Sequence, residues 1–194
     1  MLGWLAHVFA TVRPPTDSAD GSICRCVVPM TGAELAARLP LLGSVLCLPA
    51  RRAEHEEHSL PAGWLAARRE LTPLLDTHEL IVSSMIGVDG PREWIDCVDA
   101  SGRFCARLHL LPDTDYLAWD ALLARGRALP AAPVRADHLA CRATRAELLY
   151  FRVRRLGPLS LLDTVPLGRL SLLGQGIARE VAKAAAVELE PAQG

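Results

Sequence analysis

In the stretch 103–109, "RFCARLH", Arg103, Cys105, Arg107 and His109 fall on alternate positions. Alternate residues of a strand point to one face of its sheet. That face would carry two guanidiniums, a thiol and an imidazole. Imidazole and thiolate are metal ligands, and the guanidinium fork suits carboxylates. Two readings of this face stay open. It is the floor of a ligand cleft, or it is the solvated outside of a sheet.

Other chemistry-bearing residues are less well placed. His55 and His58 in "HEEH" are three apart, not at the i, i+4 spacing of the zinc-protease helix, and read as part of an exposed charged loop. Cys24 and Cys26 form a single C-x-C without a second pair at zinc-ligand spacing, so ordinary small side chains are expected. His78 lies in the turn-like "LLDTHE", while His7 and His138 sit in linker-like surroundings. Ser160 and Asp163 have no histidine at a spacing that reads as a hydrolase triad. "GQG" at 174–176 is too short for a phosphate loop.

The chain that must position these groups has 194 residues, 51% of them apolar, enough for one domain with a real core. A formal charge of −1 argues against a nucleic-acid binder driven by counterion release. Lys183 is the only lysine, so any fixed cation in a site is almost always arginine. No run reaches the roughly 20 apolar residues of a membrane span. "MLGWLAHVFATVRPP" lacks the basic start of a signal peptide. A cytoplasmic protein with six reduced cysteines is therefore expected.

"RPPTDSADGS" has linker chemistry, and residues 1–30 read as an N-terminal extension. Thr31 and Glu34 form a capping box for a helix that must stop near Pro40. "LGSVLCLP" and "ELIVSSMIGV" read as strands, and "EWIDCVD" with "RFCARLHLL" as a hairpin across "DASG". In the second hairpin strand Phe104, Ala106, Leu108 and Leu110 would form the core face. A helix follows, capped by Asp113 or Thr114, with Asp115 against its dipole and Tyr116, Trp119 and Leu123 as its buried stripe. "TRAELLYFRVRRLG" repeats the capping-box pattern with Thr144 and Glu147, which predicts a further helix, and a last one runs through "GIAREVAKAAAVELE". This order predicts an α+β fold: an antiparallel meander packed with helices over residues 31–130, then a linker and a helical C-terminal region at 131–194.

Two stretches carry a resemblance. "LPLLGSVLCLPARRAEHEEHS" resembles the opening of one half of the long members of the bacterial haemin-transport, or haem-utilisation, family. "WIDCVDASGRFCARLHLLPDTDYLAWDALL" resembles the hairpin and following helix of that half, down to the Trp-x-x-Leu pattern. The likeness spans about residues 33–125, and Arg107 matches the basic position on the family's second strand. The Thr-His-Asp-Phe segment that supplies the iron ligand in long members has no counterpart. "DTHEL" at 76–80 precedes a strand, so that role is not carried to His78.

The resemblance implies haem binding, intracellular haem trafficking and, in some members, haem breakdown. Haem requires an axial ligand, an apolar slot and cations for its propionates. His109 would then be the iron ligand, with Arg107 and Arg103 as the propionate clamp. No catalytic residue can be named, so trafficking or storage without catalysis is the expectation. The alternative is a diverged, non-enzymatic interaction protein that keeps the fold without haem. The chain resembles a single half, and two ways of closing the surface left open remain: the leucine-dense segment from Leu148 to Leu173 folds back over its own sheet, or it pairs with a second copy. A homodimer is the expected way to close it.

Overall fold

Segments with period-2 patterning dominate this chain, and they pair into one large, mostly antiparallel sheet. The computed structural model describes residues 22–51, 60–87, 90–133, 143–165, 167 and 169–190. Its strands are β1 (Ser22–Pro29), β2 (Ser44–Pro49), β3 (Trp64–Ala66), β4 (Glu79–Gly87), β5 (Gly90–Val98), β6 (Phe104–His109), β7 (Arg127–Pro133), β8 (Ala146–Leu156), β9 (Leu159–Val165) and β10 (Leu189–Glu190). They lie in the order β3-β9-β8-β2-β6-β5-β4-β1-β7, with β10 beside the start of β8. Among the described pairings, β3 with β9 and β10 with β8 run parallel and the rest antiparallel. The described helices are α1 (Gly32–Arg38), α2 (Thr72–Leu75), α3 (Tyr116–Leu123) and α4 (Leu172–Ala184). The fold class is α+β, and β4–β5–β6 is an antiparallel meander. No described helix is long and apolar enough to cross a membrane.

Each sheet face has its own core. On one face α1, α2 and α3 bury Leu35, Leu74, Trp119 and Leu122 against Val45, Leu80, Val82, Ile95 and Leu108. On the other, Ile177, Ala178 and Ala182 of α4 pack with Leu46, Leu48 and Leu111. Two covered faces explain why the central strands carry apolar residues at consecutive positions.

Local signals place several elements as the sequence predicts. Thr31 and Glu34 make the reciprocal capping box of α1, which passes into a 3-10 turn at Pro40. Gly32 has no room for a side chain, because a Cβ there would meet the Leu75 carbonyl, and this close approach seats α1 on α2. Gly102 takes φ 75° in the turn between β5 and β6.

Other elements differ. Ser22–Pro29 lies within the expected extension, yet it is β1, paired with β4 and β7. α3 is capped by Asp115, whose Oδ1 accepts from the Leu117 and Ala118 amides. Asp113 instead accepts from Ser171, the cap of α4, and Thr114 bridges Leu111 and Ser44. Tyr116 is exposed, and Trp119, Leu122 and Leu123 form the buried stripe. The helix expected from Thr144 is β8. The Glu147 carboxylate accepts from Arg68 and Arg145 rather than capping a helix. From Leu149 to Arg154 burial alternates with period 2, and Tyr150, Phe151 and Val153 suit a pleated surface. The C-terminal region is therefore a hairpin followed by one helix and a short strand, not a run of helices.

Trp119 is 1% exposed, and its Nε1 donates to Glu93 of β5 at 3.1 Å. Burial pushes the Glu93 carboxyl up, and the indole bond partly offsets this. Trp119→Ala is expected to cost about 3–5 kcal/mol. A melting temperature close to wild type would show that α3 does not hold the sheet.

Candidate functional site

The face of the sheet under α4 carries an unusual amount of polarity. The strand register sets two adjacent rows across it. One runs Leu129, Arg25, Ser83, Trp94, His109, Leu46, Leu148, from β7 to β8. The next runs Val27, Ile81, Asp96, Arg107, Leu48. Ser83, Trp94, Asp96, Arg107 and His109 are all buried.

Asp96 and Arg107 face each other on β5 and β6. Arg107 Nε and Nη2 donate to the two Asp96 oxygens at 2.6 and 2.9 Å, a bidentate pair. The guanidinium also lies over the Trp94 ring, 5.2 Å from its centroid, within cation–π range. Trp94 in turn meets the His109 imidazole, centroid to centroid 6.0 Å. Burial, and then the positive charges of Arg107 and Arg92, hold the His109 pKa down from its ordinary 6.5 to about 3. The imidazole is therefore neutral at physiological pH, the form that coordinates a metal. Arg92 stands at the edge of the face and donates to Glu180 of α4 at 2.7 Å.

The structure brings Arg107 and His109 to one face, as alternation requires, and sets Arg103 apart. β5 and β6 pair Cys97 with Ala106 but Val98 with Phe104, so Cys105 is the extra residue of a bulge. A one-residue slip exchanges the faces of everything beyond it. Cys105 accordingly joins Ala106 and Leu108 in the three-helix core, whereas Phe104, expected there, stands opposite Val98. Arg103 is largely exposed and donates to Asp99 at 2.8 Å. Burial pushes the Asp99 carboxyl up, but bonds from Ser101 and Arg103 outweigh it and hold the pKa well below the carboxylate range.

Arg25, Trp94 and Asp96 were missed by sequence reasoning. Trp94 and Asp96 could have been found from "EWIDCV", where they alternate with Ile95 and Cys97. Arg25 was hidden because Ser22–Pro29 read as part of an N-terminal extension, although Ile23, Val27 and Val28 are good strand formers. His55, His58, His7 and His138 lie outside the described residues. Among the described residues no three His, Cys, Asp or Glu side chains are grouped to hold a metal ion by themselves. What the rows can offer is one neutral nitrogen ligand, aromatic and aliphatic walls, and fixed donors for an anion. No protein-family model matches the chain, and no curated protein matches it either.

The His109 shift has a pH signature. Below pH 6.5 the unfolded imidazole gains a proton that the folded one refuses until about pH 3. Stability should fall with decreasing pH across that window, with a slope of up to about 1.4 kcal/mol per pH unit. His109→Gln should flatten the slope between pH 6.5 and 5, above the range in which carboxylates such as Asp99 and Asp163 contribute. Urea unfolding across that range tests it, and equal slopes in the two proteins would mean that the imidazole titrates normally.

Proposed function

We propose that this protein binds haem or a related tetrapyrrole on the α4 face of its sheet, for trafficking or storage in the cytoplasm. The observation that carries this reading is the His109 row. A buried, neutral imidazole lies beside an indole ring, and the Trp94 Nε1 and Arg25 Nε donors of the same row are buried without a hydrogen-bond partner. Unpaired buried donors are rare and call for an acceptor. The resemblance of residues 33–125 to half of a haem-utilisation protein adds to this reading.

The residues present fit the group. His109 would hold the iron, and Trp94 would wall the ring. Arg107 already has its carboxylate partner in Asp96, and so acts by positioning Trp94 and His109. Arg103 with Asp99 would flank the far end. When bound, haem supplies iron that the protein carries, with the axial ligand and the polarity of its surroundings as the protein's controls.

Titration with haem should produce a saturable Soret shift in the wild type. In His109→Ala that shift should be lost or weakened by on the order of tenfold or more. A wild-type protein that leaves the haem spectrum unchanged would end the reading.

One observation favours the second reading, an interaction protein that pairs with its own copy. Asp115 binds Leu42, and Asp113 binds Ser171, so three segments meet at one corner. There Leu41, Tyr116, Leu117, Leu172 and Leu173 are all more than half exposed. Such patches mark contact surfaces, and two-fold pairing is the commonest closure. Sedimentation equilibrium should show a mass that rises with concentration and returns to the protomer in Leu117→Glu. A concentration-independent protomer would dismiss the dimer.

A further inference from the structure

Charge bookkeeping on the α4 face separates Arg25 from the other arginines. Arg107 is neutralised by Asp96, and Arg92 by Glu180. Arg25 sits in the His109 row, one position from Ser83 and two from Trp94, with its Nε buried and unpartnered. Trp94 is 4% exposed, and its Nε1 is likewise unpartnered. An indole N–H can only donate, as can every nitrogen of a guanidinium. Two buried, unpartnered donors and a guanidinium with no ion pair among the described residues specify the acceptor. It is planar and singly charged, so a carboxylate fits. A phosphate dianion would want a second free cation, and Arg107 and Arg92 are already engaged.

We infer that Arg25 and Trp94 form a carboxylate-anchoring subsite on the β1–β5 side of His109, which holds an acidic arm of the ligand. The inference rests on the reading of this row as the ligand site, and it names the arginine that reads the ligand's charge. That arginine is neither of the two on β6 and its turn. The ligand class narrows accordingly to a flat molecule with at least one free carboxylate, and esterified analogues should bind more weakly.

Two probes keep the subsite and the haem reading separable. In the first, sodium propionate alone is titrated into the protein and the indole ¹H–¹⁵N resonances are followed, with Trp94 assigned by Trp94→Phe. The Trp94 resonance should move saturably in the wild type and stay still in Arg25→Gln. In the second, haem and haem dimethyl ester are compared by absorbance. Arg25→Gln should weaken haem by on the order of tenfold and leave the diester unchanged, the loss expected for one charge-assisted bond. Arg25→Lys, which keeps the charge but loses the Nε donor, should be intermediate, and melting curves check that each variant is folded. If haem fails to bind but propionate still moves Trp94, the subsite stands and the haem reading falls. If haem and its diester bind equally to wild type and Arg25→Gln, haem stands and the subsite is overturned. A Trp94 resonance that ignores propionate in a protein that also ignores haem overturns both.

Discussion

The arrangement of the α4 face depends on one buried ion pair. Asp96 and Arg107 lie on the central strands β5 and β6, with both side chains 3% exposed. Removing two charges from water is expensive, and the attraction between them offsets that cost only when the geometry is good. Here the fork is bidentate, at 2.6 and 2.9 Å. What the pair contributes is register. A one-residue slip of β6 against β5 would turn Arg107 into the apolar core formed by Ile95, Cys97 and Leu108. Removing either partner alone leaves a buried charge without compensation, the most damaging kind of polar substitution. The pair therefore holds the two strands in the one alignment that sets Trp94 beside His109.

The same pair governs the electrostatics of its neighbours. Asp96 satisfies the guanidinium, which keeps its charge and lies over the Trp94 ring. That charge, added to burial, disfavours a proton on His109. An imidazole with a depressed pKa and no described carboxylate to orient it makes a poor general base at neutral pH, but it is available as a ligand. The polar groups of the face divide into two kinds. Asp96, Arg107, Arg92 and Glu180 are mutually satisfied and build the frame. Trp94 Nε1 and Arg25 Nε are buried without a hydrogen-bond partner.

Much of the fold was legible because its signals are local. The α1 capping box, the strands β2 and β4, and the β5–β6 hairpin rest on residue types within a few positions of one another. The misreadings arose where distant partners decide. Thr144 and Glu147 have capping-box spacing, but Arg68, far away in sequence, claims the glutamate, and pairing with β2 and β9 claims the backbone. β1 looks like part of an N-terminal extension until β4 and β7 flank it. At the site, alternation correctly joined Arg107 to His109. It misplaced Cys105, Phe104 and Arg103, because a bulge beyond Ala106 has no signature in "RFCARLH".

The two faces of the sheet also explain why a site belongs on one and not the other. The face under α1, α2 and α3 is filled by leucine, valine, cysteine and tryptophan, and its buried thiols are driven to high pKa by burial. That face is a packed core. On the opposite face the described helix is α4, which seats its small residues Ala178 and Ala182 over Leu46 and Leu48 at the β2 end. From there one row runs on through His109, Trp94 and Ser83 to Arg25. On the reading proposed above, the aliphatic end of this row would meet the apolar area of the ligand, and Arg25, before the row closes at Leu129, would meet its acidic edge.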